Sequence, residues 1–491
     1  MTRALLLGCA LLVSGCAVYH ASPLPSEPDL RASLPGWVAY PSTGDTLTSP
    51  ATTAQTSEQA ETPASPAEAG PRPQAESEPG ANRTPTTSQN EPLDLAAVAT
   101  LAVLDNPDLR VVRAEVGVAQ AQLESERLIP DPTVGLSGAK TLSTGPGLAN
   151  PYMVDVSLDL GWLLTRRARV TSTRAGLDQA HLRVLWAEWQ TAQAARLLYV
   201  EVTTDRQRVA LLEAMRALFE RRYEQSLRAY RRGDLTLETA GADLTALLSA
   251  TSRVDDVRRN LDRAEHELAA LLGLDPNVRL RLAQLDPPAT LSDAQVAAAL
   301  EVLPRYRPDL LALRAGYASQ EASVRAAILG QFPAIGIGGE YSRDNGRARE
   351  VGGSVNLTLP IFNGNRGAVA VERATRAVLE ATYQARLDDA KRDVAVLATQ
   401  QHLLLRQAQT LDDNLPELAR MANLAADAYR AQNLDALSYL NLQNTLLDKE
   451  LERIDLQQLE WNTRIALDTL LGVGAPPSSR APLTRDQENT P

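Results

Sequence analysis

The side chains that could do chemistry are few and scattered. The four histidines, His20, His181, His266 and His402, lie far apart and show no metal-ligand spacing. Gly336-Ile337-Gly338-Gly339 is the densest glycine run, yet it sits inside an alternating strand pattern. Close packing explains it better than a phosphate cradle, and no nucleophile elbow appears elsewhere. The helical carboxylates read as solvated faces. No enzyme is expected, and no cofactor or metal. The net charge of -11 argues against a nucleic-acid partner, which calls for a basic face. What remains is two thiols, Cys9 and Cys16, both within the first 16 residues.

Arg3 followed by the apolar run Ala4 to Val13 reads as a signal segment. Val13-Ser14-Gly15-Cys16 resembles a lipobox. That resemblance implies cleavage before Cys16, acylation of its thiol and new amine, and loss of Cys9 with residues 1–15. Ala17 behind the cysteine resembles lipoproteins sorted to an outer membrane. Residues 16–92 read as a lipidated cysteine and a disordered tether. Residues 17–92 hold 13 of the 30 prolines, and nine acids oppose three arginines. Such a segment buries too little apolar surface to offset its ordering entropy. Residues 475–491 read as a disordered tail.

Between these ends the chain repeats itself. Asn106-Pro107-Asp108-Leu109 returns as Arg307-Pro308-Asp309-Leu310. Pro132-Thr133-Val134-Gly135-Leu136 returns as Pro333-Ala334-Ile335-Gly336-Ile337, Ala229-Tyr230-Arg231 as Ala428-Tyr429-Arg430, and Leu271-Leu272-Gly273 as Leu470-Leu471-Gly472. Four landmarks in one order mark a duplicated unit of roughly 200 residues. The copies run over about 93–290 and 291–474. Each reads helix, strand, strand, long helix, helix.

Four segments alternate with period two, at about 132–142, 152–162, 333–343 and 351–361. In the clearest, Val154, Val156, Leu158, Leu160 and Trp162 oppose Asp155, Ser157, Asp159 and Gly161. One face is apolar and one polar. Each is about ten residues, the length of a tilted membrane-crossing strand. Tyr152, Trp162, Phe332, Tyr341 and Phe362 near strand ends could form an interfacial belt. On strand pattern alone, a soluble antiparallel sheet with helices packed on its apolar face fits slightly better.

The helices are more decisive. No proline occurs between Pro151 and Pro276, and residues 163–231 read as one helix of roughly 100 Å. Residues 366–432 repeat it, with a kink expected at Pro416. Turns at about 231–236 and 430–436 reverse the chain. The return helices carry heptads: Leu247, Val254, Leu261, Leu268 in copy one and Leu440, Leu447, Ile454, Trp461 in copy two. A four-stranded sheet with two free edges cannot sit in lipid. Two, three or four protomers would each close it, and sequence physics leaves that open.

With these residues assembled, the chain resembles the TolC-family outer-membrane efflux proteins (outer membrane factors) of lipoprotein type. The resemblance rests on the paired Asn106-Pro107 and Arg307-Pro308 starts and on Pro132 and Pro333 before the strands. Leu359-Pro360-Ile361-Phe362-Asn363-Gly364, Tyr230-x-x-Gly233 and the two Leu-Leu-Gly endings complete it. It implies a mainly α fold with a membrane β-barrel portion. Three chains would share a 12-stranded β-barrel joined to an α-helical barrel across the periplasm. It implies a passive gated duct, an outer-membrane and lipid-anchored location, and no enzyme activity. The implied partners are two further copies of the chain, a membrane fusion protein as adaptor, outer-membrane lipid, and an inner-membrane pump of RND or ABC type.

The resemblance places Gly233, Asp234, Gln432, Asn433 and Asp435 at the periplasmic tips, against the adaptor. In the family an acidic ring often lines the constriction nine and twelve residues beyond the tip tyrosine. Counting from Tyr429 gives Ser438 and Asn441, neither of them charged. A polar, neutral constriction flanked by Asp435 is therefore expected, with no cation-binding ring. The differing tips suggest that the second hairpin is the one that moves. The rival readings are a lipid-anchored periplasmic coiled-coil adaptor and a structural lipoprotein without a pore.

Overall fold

The computed structural model describes residues 28–31, 33–34, 92–142 and 145–472. The signal segment, Cys9, Cys16, most of the tether and the tail lie outside the described residues. Copy one contains α1 (Leu95–Asp105), α2 (Pro107–Arg127), β1 (Thr133–Gly138), β2 (Tyr152–Asp159), α3 (Gly161–Arg231) and α4 (Leu237–Leu271). Copy two repeats the order as α5 (Asp293–Tyr306), α6 (Pro308–Leu329), β3 (Ala334–Arg343), β4 (Arg349–Thr358), α7 (Arg366–Arg430) and α8 (Ala436–Leu471).

Each leading helix is thus two helices, not the single one expected. The repeated X-Pro explains the break. A proline pushes the residue before it out of the helical region. Asn106 sits at φ -58, ψ 126 and Arg307 at φ -75, ψ 118. The two copies then use this position differently. Asn106 caps α2 by accepting from Leu109 N at 2.9 Å and donates to Leu271 O at 3.0 Å. Arg307 makes no cap; its guanidinium grips Asp309 at 2.7 and 3.0 Å and lies over the Trp186 ring.

The four strands form one antiparallel sheet in the order β1-β2-β3-β4. The copies meet at β2–β3, where Val154 pairs Tyr341 and Leu158 pairs Ile337. Both strand turns lie at one end of the sheet, and all connections to helices lie at the other. Two expected strands end early. β2 stops at Asp159, whose Oδ1 accepts from Gly161 N at 2.7 Å and turns the chain into α3. Trp162 is therefore helical. β4 stops at Thr358 because Pro360 has no N–H for a ladder. β1 covers six residues rather than about ten. One sheet face carries Leu136, Val156, Ile335, Ile337, Val351, Val355 and Leu357, all exposed, with Val351 84% accessible.

α3 has 71 residues and α7 has 65, lengths of about 107 and 98 Å at 1.5 Å per residue. α4 and α8, at 35 and 36 residues, cover only half of them. The sheet-proximal half of α3 packs on α2 and α6, and the distal half on α4 and α8. α7 runs on through Pro416. The heptad positions Val254, Leu268 and Leu447 are buried, as their spacing demands. A central cluster joins Leu93, Val98, Leu101, Tyr199, Leu268, Leu272 and Ile465, so α1 plugs the junction of α3, α4 and α8. Leu272-Gly273 ends α4 there. Gly273 has φ +65, and a Cβ on it would stand 2.6 Å from Asp105 O, so only glycine fits.

Part of the expected tether is docked on this junction. Arg31 N donates to Gly273 O at 3.0 Å, Asp275 N donates to Arg31 O at 2.8 Å, and Arg31 pairs with Asp105. Leu34 packs on the central cluster. Composition averaged over 76 residues hid this short match, which rests on one backbone bridge, the ion pairs Arg31–Asp105 and Asp29–Arg110, and one apolar side chain.

Candidate functional site: the tips of two helical hairpins

The tip of the first hairpin is a glycine turn. Gly233 has φ +81 and Asp234 N donates to Ala229 O at 2.9 Å, which closes the end of α3. Asp234 forms an exposed pair with Arg232 at 2.9 Å, and Thr236 caps α4. The second tip makes the same turn without glycine. Gln432 takes φ +62, and Asn433 N donates to Ala428 O at 2.8 Å. Asp435 caps α8 by accepting from Ser438 N at 2.8 Å. Hydrogen bonding from Ser438 holds the Asp435 carboxyl below the usual aspartate range.

Ser438 and Asn441 lie three residues apart on an exposed stripe of α8. The structure joins Ser438 to Asp435 through the cap. Asn441 stands one turn further on, with its carbonyl accepting from Thr445 Oγ1 at 2.8 Å. Gly233 and Asp234 belong to the other hairpin. Leu237 and Leu437, each at the start of a return helix, are 68% and 67% exposed.

Sequence reasoning missed the polar knot behind the tips. Arg222 on α3 and Asp243 on α4 are both buried, with Nε donating to Oδ1 at 2.7 Å. Ser226 Oγ donates to the other carboxylate oxygen. Both Nη atoms of Arg222 lack hydrogen-bond acceptors. They face aromatic rings of the second hairpin instead. The guanidinium carbon lies 4.7 Å from the Tyr429 centroid and 5.0 Å from that of Tyr439. Those rings stack at 5.1 Å, and burial pushes the Tyr439 phenol up. Cation–π attraction is thus the one polar link from the Arg222 head to the second hairpin. Apolar neighbours Leu212, Met215, Phe219, Val254, Leu440 and Leu447 seal the site. The signal was available. Arg222 follows Met215 and Phe219 on one helix face, and Asp243 stands seven residues before Ala250 on the heptad seam. A charge on each of two facing apolar seams marks a buried pair.

The second hairpin uses a neutral tie at the same 21-residue separation. Buried Gln443 donates through Nε2 to Ala422 O at 3.1 Å. Among the described residues no group of three or more His, Cys, Asp or Glu could hold a metal ion, and no helix is long and apolar enough to cross a membrane.

Comparison with known proteins places these features in a group. Residues 301–473 match the family model of outer membrane efflux proteins. The chain is 27% identical over 393 residues to outer membrane protein OprJ of Pseudomonas aeruginosa, covering 74% of this chain and 80% of that protein. It is 24% identical over 425 residues to cobalt-zinc-cadmium resistance protein CzcC of Cupriavidus metallidurans, covering 81% of this chain and 95% of that protein. The crystal structure of the Campylobacter jejuni CmeC outer membrane channel superposes with a TM-score of 0.66 at 17% identity, covering 78% of this chain and 86% of that one. That last likeness is one of fold.

Proposed function

We infer the working of this chain from its membership of the outer membrane efflux protein family: it is the outer-membrane channel of a tripartite efflux system. Three copies share one axis and contribute their four strands each to a common 12-stranded barrel. One observation carries this reading. Among the described residues the sheet has one face, apolar up to Arg343 and Arg349 at its rim, that no helix covers, and two unpaired edges, β1 and β4. Lipid requires closure of such edges. The opposite face carries Asp155, Asp159, Glu340 and Glu350 among Ser, Thr and Gly, the composition of a water-filled bore.

Below the barrel, α3 and α7 continue the duct through the periplasm, and the return helices complete its wall. The tips at Gly233, Asp234, Gln432, Asn433 and Asp435 meet an adaptor, which links the duct to a pump in the inner membrane. Exposed Leu237 and Leu437 supply apolar contact there. Ser438 and Asn441 line a neutral constriction that opens when the second hairpin leans away from the first. Cys16 carries the lipid anchor. Substrate passes down its gradient through the duct, and the pump supplies the energy.

Purified full-length protein should migrate as a trimer and conduct ions in a planar bilayer. Bulky or charged replacements at Ser438 and Asn441 should change that conductance. Unchanged single-channel currents would remove these two residues from the constriction. A monomer that never inserts would remove the channel reading itself.

A further inference from the structure

The outer rim of the sheet holds a charge arrangement that the duct does not use. Arg343, the last residue of β3, pairs in register with Arg349, the first of β4. Directly opposed side chains on one face stand about 5 Å apart at Cβ, and like charges there are destabilising. Alternation puts both on the apolar face, beyond Tyr341 and Val351. Arg347 follows in the turn at φ +67, and Lys140 stands just past β1 at the same end. Among the described residues no carboxylate forms an ion pair with any of these four bases. Asp344 is committed to the turn, accepting from Ala348 N at 2.8 Å, and Glu350 points to the polar face by alternation.

Arg343 is also held in place. Its Nη2 donates to Asn150 O at 2.9 Å, and its guanidinium lies 5.0 Å from the Tyr152 centroid. Tyr152 in turn meets Tyr341 at 6.2 Å. Nε of Arg343 has no partner. Tyrosines, then arginines, mark the transition from acyl chains to headgroups. The strand turns lie at the end opposite the helices, so this level is the outer leaflet.

We propose that Arg343 and Arg349 form a docking surface for the phosphate-bearing headgroup of an outer-leaflet lipid. This rests on reading the apolar face as lipid-facing. A phosphate between the two guanidiniums replaces their repulsion with charge-assisted hydrogen bonds, and arginine's fork geometry suits it. Closing the barrel does not neutralise the pair. β1, which would lie beside β4 of the next copy, has no acid in Thr133–Gly138, and Lys140 follows it.

The test uses full-length protein in phosphatidylcholine nanodiscs containing diphosphoryl lipid A or its dephosphorylated form. Lipid retained through detergent extraction is quantified by mass spectrometry. Wild type should retain the phosphorylated form about tenfold better. Arg343→Gln/Arg349→Gln should lose that preference, and Arg343→Lys/Arg349→Lys should keep part of it. The proposal fails if the glutamine variant keeps the full preference, if dephosphorylated lipid is retained equally, or if inorganic phosphate displaces the lipid at equal concentration. Single-channel currents of the same samples separate the two readings. A conducting glutamine variant with undiminished lipid preference overturns the rim alone, whereas a wild type that never conducts overturns the channel.

Discussion

The two copies of the repeat make the same hairpin from different materials. Copy one turns on Gly233 and ties its helices with the buried pair Arg222–Asp243. Copy two turns on Gln432, a side chain at positive φ, and ties its helices with the amide of Gln443. The first hairpin is therefore pinned near its tip by a buried charge pair, whereas the Arg453–Asp412 pair between the helices of the second is part-exposed. The second touches the Arg222 head only through the faces of Tyr429 and Tyr439. Pulling the tip of the second hairpin away breaks no ion pair at Arg222 and gives its two unsatisfied Nη groups access to water; the pairs Arg253–Asp448 and Arg208–Asp455 join the hairpins further from the tips. From this difference we propose that hairpin one is the frame and hairpin two the moving part.

The largest effect should come from removing the frame's pin. Arg222→Ala strands the Asp243 carboxylate in an apolar seam, at a cost of about 3–5 kcal/mol. Denaturant unfolding should show it, and Arg222→Met/Asp243→Leu should recover much of the loss. Equal stability of Arg222→Ala and wild type would erase the distinction between the hairpins.

A smaller loss is expected in copy two. Gln443→Leu removes a neutral bond and leaves one buried carbonyl short, about 1–2 kcal/mol. A loss as large as that of Arg222→Ala would mean that both hairpins are pinned alike. The tip turn should respond in the opposite direction. Gln432→Gly relieves the left-handed conformation and should stabilise by about 1 kcal/mol, whereas Gly233→Gln should destabilise by a similar amount. Melting temperatures of the two variants compare them directly.

The mildest test is acid. Asp435 has a folded pKa held below its ordinary value of about 3.9 by hydrogen bonds from Ser438. Its cap therefore contributes stability above that value and loses it as pH falls through the lower folded pKa. The start of α8 should loosen in that window, with faster amide exchange at Ser438. Asp435→Asn keeps a cap without the titration and should flatten the response. The first tip is capped by Thr236 and should show no such step.

Much of this architecture was legible because it is periodic. Val154, Val156 and Leu158 announced β2 by alternation, and Val254 and Leu268 announced the seam of α4 by sevens. The duplicated X-Pro marks fall at the breaks α1–α2 and α5–α6, and the Leu-Leu-Gly marks at the ends of α4 and α8. Strand ends were less legible, since the Asp159 cap and the missing N–H of Pro360 act on single residues. The docked stretch around Arg31 was hidden by the polar composition on either side of it. Among the tip residues, Asp435 and Ser438 were brought together as one cap. The Arg222–Asp243 knot was the larger omission. Each charge alone looks like a solvated helix residue, and only the facing of two seams reveals that both are buried.

Single-channel recording of wild type and Arg222→Ala, side by side in planar bilayers, tests the central claim most directly. A gated duct whose second hairpin rests on the Arg222 head predicts low, mostly closed currents for wild type and more frequent or larger openings for the variant. Gln443→Leu should stay near wild type. Identical gating in wild type and Arg222→Ala, at equal channel insertion, would contradict the division into frame and moving part.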